Sequence, residues 1–376
     1  MADRFDRKSL RMFRLAQREN KLDIRHMAVL PDSPAPDLTD TERAQVEAVA
    51  DSIIAARMAG RPVVVAFGAH LIKNGLAPIL TRMMEDGWVT HVATNGAGSI
   101  HDWEFAYQGK TAEDVRANTA SGRFGIWEET GRWVNLAIAI GGIDGLGYGA
   151  SIGKMIADDG LSIACREDLL RRMSETASGS IADDTLGSLA DLLYLVSEFG
   201  LKPGKETVEH PFKHYSVHYA AHRLGIPFTV HPGIGYDIIY SHPMNCGGAI
   251  GRAAVRDFLS YVDAIGHLSR GVHISIGSAI MAPMIFEKAM SMSNNLSIQR
   301  TGKPMSDYHI VVVDIQDGGG WDWRAGEPPL EHPAYYLRFC KSFYRMGGAL
   351  DYIRLDNRAF MLGLCHALSV RGANTR

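Results

Sequence analysis

Asp237 stands in the stretch 226–240, IPFTVHPGIGYDIIY, between Gly235-Tyr236 and Ile238-Ile239. A carboxylate set among apolar residues needs a partner, because burying an unpaired charge is costly. A cationic ligand group would be such a partner; a helix cap or a satisfied structural carboxylate is the alternative. A second acidic group lies in YHIVVVDIQDGGGWDWRAGE, where Asp314, Asp317, Trp321, Asp322, Trp323 and Glu327 follow a β-branched run. Acidic and aromatic side chains together suit an amine through ion pairing and cation–π contact; an irregular glycine-rich surface loop is the bland reading. Lys341 in RFCKSFYRMGG is flanked by Phe339, Cys340 and Phe343. A desolvated lysine can act as a base or an imine-forming nucleophile, whereas most lysines carry the ammonium out to water. A third group, Thr94-Asn95-Gly96-Ala97-Gly98, is followed by His101, Asp102 and Glu104. Its glycines would let backbone N–H groups approach a phosphate, or they form a tight strand-to-helix turn; the run is too short for a dinucleotide fingerprint. Histidines thicken from His210 through His214, His218, His222, His231 and His242. Three of them fall at i, i+4 and i+8, a spacing that can chelate a metal, but no carboxylate or cysteine completes a site. We read a polar helix face near a subunit boundary and no metal.

The elements that must position these groups are legible as repeats of strand, glycine-rich turn and helix. Arg61-Pro62 leads into VVVAF, a buried strand ending at Gly68-Ala69-His70, and LIKNGLAPILTRMMEDG has helical spacing. WVTHVA is the next strand, so a βαβ unit and a parallel sheet are expected. IPFTV, GVHISIG, HIVVVD and LDYIRL supply further strands. In open parallel sheets ligands bind beyond the strands' C-terminal ends, which is where each candidate group sits. Thr39 or Asp40 caps a helix that Gly60 closes. Residues 1–45 read as a short basic helix and a proline-rich arm. Residues 46–376 read as a single domain with a helical insertion at about 110–205. Gly145, Gly147 and Gly149 fit a closely packed helix–helix connection.

The 376 residues suffice for a large α/β domain, and the formal charge of -3 lacks the basic block of a nucleic-acid-binding chain. The 4 cysteines are dispersed without a CxxC pair, as expected of reduced thiols in a cytoplasmic protein. The first residues form no apolar signal core, and no apolar run reaches membrane-spanning length. A cytoplasmic protein without a membrane partner is expected.

The order of these pieces resembles deoxyhypusine synthase and its homospermidine synthase relatives, from about residue 63 to the C-terminus with a poorly matched middle. AHLIKNG and VATNGAGSIHD are similar to that family's nucleotide loops. IPFTVHPGIGYDIIYSHP is similar to its strand and Asp-containing turn, and ISIGSAIMAPMIFEKAMSMSNN to its glycine-rich strand and helix. VVVDIQDGGGWD resembles its acidic loop and YIRLDNRAF its final strand. The resemblance implies a Rossmann-like, doubly wound, mostly parallel sheet flanked by helices, NAD as cofactor, and a homotetramer. It also implies aminoalkyl transfer: oxidation of an amine to an imine, transient alkylation of a lysine, and reduction of the product. Carried over by position, Ala69, Thr94, Asn95, Gly96, Gly98, Asp102 and Asp356 would bind the nucleotide. Asp237, Asp322, Glu327, Trp321 and Glu287 would meet a small amine substrate, and Lys341, Asp237 and His101 would be catalytic. The chain departs from the pattern at Ile100-His101, where the family has paired acids, and at Met284 and Glu287, where it has His and Asn. The segment between Asp322 and Lys341 is also longer. A polyamine-forming transferase is therefore expected. A NAD-using, redox-neutral lyase or hydrolase, which needs no Lys341, is the alternative, and a non-catalytic NAD-sensing scaffold is a third class.

Overall fold

The computed structural model describes residues 5–178 and 184–373. Six strands form the central sheet: β1 (Val63–Phe67), β2 (His91–Asn95), β3 (Phe228–His231), β4 (Val272–Ile276), β5 (His309–Asp314) and β6 (Ala349–Arg354). Their spatial order is β6-β5-β4-β1-β2-β3, and every neighbouring pair is parallel. This is the order 3-2-1-4-5-6 of doubly wound dinucleotide-binding sheets. The fold is α/β, with helices on both faces of a parallel sheet. β1 and β4 are buried along their whole length, as central strands covered on both faces must be, and their sequences are accordingly apolar rather than alternating.

The helices follow from local signals. α1 (Asp40–Met58) begins at Thr39, whose hydroxyl accepts the Glu42 N–H while Glu42 reaches back to the Thr39 N–H. This reciprocal cap satisfies two otherwise free donors. Past its end, Gly60 adopts φ 66°. After β1 come α2 (Ala69–Lys73) and α3 (Ala77–Glu85), and after β2 comes α4 (Gly96–Gln108). Between β2 and β3 lie α5 (Glu128–Ile143), α6 (Tyr148–Ala157), α7 (Arg166–Ser178), α8 (Thr185–Phe199) and α9 (Val217–Leu224). α5 to α8 contribute to an apolar cluster of their own, with Leu136, Ile138, Ile152, Met155, Leu189 and Leu192 among its members, whereas Val217, Ala220 and Ala221 of α9 pack with the strands of the sheet. Residues 179–183 of the expected helical insertion lie outside the described residues, and α8 begins at Thr185. After β3 come α10 (Gly247–Gly266), α11 (Met281–Thr301), α12 (Arg338–Arg345) and α13 (Asn357–Ala373); two short helices, Ile24–Met27 and Val115–Ala120, lie earlier in the chain.

The 145–149 glycines do join two helices tightly. A Cβ on Gly147 would lie 1.8 Å from Asp257 Oδ1, and one on Gly149 would lie 1.8 Å from the Phe228 carbonyl oxygen. No single helix among the described residues is long and apolar enough to cross a membrane; α5 and α6 pass only as a pair bent by 105°.

The N-terminal segment departs from expectation. Its described part begins with two short 3-10 turns, Arg7–Ser9 and Leu15–Gln17, and its one α-helical stretch before Asp40 is a single turn, Ile24–Met27, which carries Arg25 and His26. It packs on its own chain: Arg7 donates to the Tyr240 carbonyl and to Asn245, and Phe13 bridges to Trp127. Residues 1–4 of the expected basic helix lie outside the described residues.

Candidate functional site

Because all six strands run the same way, every strand-end loop singled out in the sequence emerges on one edge of the sheet. The loops do not, however, converge on one point. Asp237 follows β3 at one side of the sheet, whereas Asp322 and Glu327 lie in the segment after β5 and Lys341 on α12, between β5 and β6 at the other. With strands about 4.8 Å apart, the ends of β3 and β5 are roughly 19 Å from each other.

The β3 side holds a cavity of about 240 Å³. Asp237, His101, Arg18, Glu104, Lys73 and Tyr236 are among its walls. Asp237 is 9% exposed, and its Oδ2 makes no hydrogen bond. The backbone N–H of Gly233 donates to the carboxylate, but burial outweighs it and pushes the carboxyl up to about 7. Gly96, at the start of α4, faces it so closely that a Cβ there would lie 2.1 Å from Oδ2. The positive end of α4 attracts an anion, and the anion here is the protein's own carboxylate. Of the two readings of the glycine loop, a phosphate cradle or a tight strand-to-helix turn, these contacts support the turn: Gly96 makes room for Asp237. Gly98 makes room for the Thr94 hydroxyl, which a Cβ there would approach to 2.2 Å. Asn95 accepts from the Gly98 N–H as the helix cap.

Two assignments on this side are corrected. Thr94 is fully buried and donates to the Phe67 carbonyl oxygen, tying β2 to β1. Asp102 is likewise fully buried; it accepts from the Ser216 hydroxyl and from the N–H groups of Val217 and His218. It anchors the start of α9 and cannot touch a nucleotide. Burial outweighs those three donors and moves its carboxyl up to about 6. His101 does reach the cavity; its Nδ1 pairs with the Thr111 hydroxyl at 2.7 Å, and burial lowers it to about 4.

Sequence reading missed the wall opposite. Arg18, from the N-terminal arm, forms a two-pronged ion pair with Glu104 at 2.8 and 2.6 Å. Both side chains are almost inaccessible, and Thr111 and Thr130 also donate to Glu104. Nothing local marks Arg18, since its burial depends on a partner 86 positions away. Also missed was Asp257 on α10, which accepts from the N–H groups of Gly149 and Val230 and so fixes α6 against the end of β3.

The groups on the other side are engaged locally. Trp321 donates to the Gly326 carbonyl oxygen, Asp322 accepts from the Arg324 N–H, and Glu327 pairs with Arg345 at 2.7 Å. Glu287 pairs with the neighbouring Lys288. Asp356 accepts from the Arg358 N–H at the start of α13. Phe339, Cys340 and Phe343 turn into the core, while the Lys341 ammonium lies 3.4 Å from the centre of the Tyr335 ring. The apolar surroundings expected for Lys341 are thus corrected to an aromatic face. Trp321 and Asp322 line a separate cavity of about 580 Å³, and none of these residues lines the Asp237 cavity.

The histidine row is also corrected. His214 lies in a 3-10 turn ahead of α9, and His218 is buried, so the three share no exposed helical face. Among the described residues no group of His, Cys, Asp and Glu could hold a metal.

At the switch point between β1 and β4 two glycine backbones meet. A Cβ on buried Gly68 would lie 2.2 Å from the Gly277 carbonyl oxygen, whereas one on Gly277, which is exposed and at φ 55°, would meet nothing. Ala69 opens α2 beside them.

No protein-family model and no curated protein matches the chain. Among solved structures it is similar to AgrE in ternary complex with ornithine and NAD+, with 16% identity over 90% of this chain and 34% of that one, TM-score 0.43. It is also similar to ArgZ, an arginine dihydrolase from the ornithine–ammonia cycle in cyanobacteria, with 16% identity over 87% and 33%, TM-score 0.39. A third is a protein of the LOR/SDH type from Methanococcus maripaludis S2, with 15% identity over 92% and 74%, TM-score 0.41. The chain spans about a third of the length of the first two.

Proposed function

We propose that this chain is a NAD-dependent enzyme acting on an amine. The observation that carries the reading is Asp237, a nearly buried carboxylate with an unpaired oxygen in a cavity on the β3 side of the sheet. A cationic amine would supply the missing charge and donor. Ala69 and the exposed Gly277 backbone at the switch point would hold the dinucleotide's phosphates. Bound NAD would supply hydride acceptance and return at the amine-bearing carbon. Asp237 would orient the ammonium, and His101, neutral at physiological pH, is placed to accept a proton in the same cavity. The Arg18–Glu104 pair closes the cavity wall and keeps the arm in place.

Two chemistries fit this arrangement. Aminoalkyl transfer to a small amine, giving a polyamine, requires Lys341. The second reading is a redox-neutral lyase or hydrolase reaction that uses Asp237 and His101 alone. The separation of Lys341 from Asp237 across the sheet favours the second within one chain. A homotetramer that brings Lys341 of one copy near Asp237 of another belongs to the first.

The test is mass spectrometry of reactions containing NAD and a panel of amines and amino acids, with Lys341→Ala and Asp237→Asn in parallel. A product one aminoalkyl unit heavier than its acceptor, lost in Lys341→Ala, supports transfer. Turnover that survives Lys341→Ala but not Asp237→Asn supports the second reading. Full turnover in Asp237→Asn sinks the amine-site assignment.

A further inference from the structure

The charged walls of the Asp237 cavity divide into engaged and free groups. Arg18 gives its two terminal nitrogens to Glu104 and its Nε–H to Asn20. Glu113 accepts from the Trp127 indole, the Asn118 amide and the Gly125 N–H. His101 pairs with Thr111. Two groups of opposite charge are left over on the walls: Asp237, through Oδ2, and Lys73. Among the described residues the half-buried Lys73 side chain forms no ion pair and no hydrogen bond.

Each of the two is held by its backbone rather than by a partner. Lys73 ends α2, and the turn after it is pinned. The Asn74 amide donates to Asn357 at 2.8 Å, and a Cβ on Gly75 would lie 2.3 Å from the Met27 carbonyl oxygen. Asp237 is wedged against Gly96 at the start of α4. One face of α4 forms a wall of the same cavity with Ala97, Ile100 and His101. His101 lies five residues past Gly96, about 7.5 Å along the helix, and it feels the Lys73 charge. A single cavity therefore carries an anion at the start of α4 and a cation further along it. Its volume of about 240 Å³ is below the roughly 300–1,000 Å³ of sites for drug-sized ligands, so its occupant is small.

We propose that the substrate is a small amino acid, with its ammonium on Asp237 and its carboxylate on Lys73. The inference rests on the proposed amine site and names the substrate class that site takes. A simple amine satisfies Asp237 and leaves Lys73 unpaired. A diamine brings a second ammonium toward Lys73, and like charges repel strongly where water is scarce. An amino acid supplies both missing counter-charges, with a charge-assisted hydrogen bond at each end. Lys73 is then a specificity-determining residue, selecting for a carboxylate and against a polyamine.

Isothermal titration calorimetry on the full chain with NAD present tests this with butylamine, norvaline and 5-aminopentanoate. Norvaline is butylamine with a carboxylate on the amine-bearing carbon, and 5-aminopentanoate carries the carboxylate at the far end. At least one of the two amino acids is expected to bind at least about tenfold more tightly than butylamine. Lys73→Met, which keeps the stem and removes the ammonium, should abolish that preference while butylamine binds no more weakly and NAD binds as before. Lys73→Arg should keep most of the preference. Urea unfolding of each variant shows whether the fold is intact. Amino acids that bind no more tightly than butylamine, or a preference that persists in Lys73→Met, overturn the amino-acid assignment, while loss of binding in Asp237→Asn keeps the amine site. Weakened NAD binding in Lys73→Met overturns it as well, by placing Lys73 on the cofactor. Binding of all the compounds that Asp237→Asn leaves unchanged, or no binding of any in the parent chain, overturns the assignment and the amine site together.

Discussion

Replacing Asp237 by Asn should stabilise the ligand-free protein at alkaline pH, although it destroys the proposed site. The carboxyl titrates at about 7 in the fold against an ordinary value of 3.8. One pKa unit corresponds to about 1.4 kcal/mol, so ionised Asp237 costs the fold up to about 4 kcal/mol. Relaxation around the charge will reduce this, and an observed gain of about 1–3 kcal/mol is expected. The folded pKa is raised, so the folded state holds the proton more tightly than the unfolded chain. The penalty is absent below about pH 4, grows as the pH rises, and is complete above about pH 7. Asn keeps an oxygen to accept from the Gly233 N–H and carries no charge to desolvate. Urea unfolding of parent and variant at about pH 5, 6, 7 and 8 measures the difference. The two curves should converge at the acid end and diverge with the variant more stable at the alkaline end. A parent more stable than Asp237→Asn at about pH 8 would show that Asp237 has a partner in the free protein, and the reasoning from an unpaired carboxylate would fail.

Gly96→Ala places a Cβ 2.1 Å from Asp237 Oδ2; it should cost about 1–3 kcal/mol in urea unfolding and abolish amine binding by calorimetry. A Gly96→Ala protein that binds like the parent would separate Asp237 from the site. Arg18→Leu leaves Glu104 buried without its cation and should destabilise by about 3–5 kcal/mol, with the arm becoming susceptible to limited proteolysis; an unchanged digestion pattern would contradict the arm's docking. His91, His231 and His273 surround Tyr261 and are each lowered by burial to about 3 from 6.5. As their folded pKa values are depressed, the unfolded chain takes up protons first, and stability is lost as the pH falls from about 6.5 toward 3. His273→Gln, which retains a partner for the Tyr261 hydroxyl, should lose less stability than the parent between about pH 7 and 5. An equal loss in both proteins would exclude His273 as a source of the acid sensitivity.

The local and periodic features were legible in the sequence. The run VVVAF forms β1 with the expected bounds because a central parallel strand must be apolar throughout. Thr39 caps α1 because its oxygen meets the N–H of the Glu42 three positions on, whatever surrounds it. The parallel sheet followed from the alternation of strands and helices, and with it the placement of the candidate loops on one edge. Asp237 stood out because a carboxylate between apolar neighbours has few local ways to be satisfied.

Tertiary structure decided which groups share a site. Asp102 and Thr94 resemble ligand residues in sequence, yet long-range partners at Ser216 and Phe67 consume their polar atoms. Strand order, which depends on how crossovers pack rather than on any single loop, put Lys341 and Asp237 on opposite sides of the switch point. The same packing brought Arg18 to the Asp237 cavity and Asp257 to the end of β3 from segments with no local signal. Sequence determined the strands, caps and turns because those answer to neighbours a few residues away. The set of side chains around Asp237 answers to hydrogen bonds and burial between residues far apart in the chain, and only the folded chain supplies them.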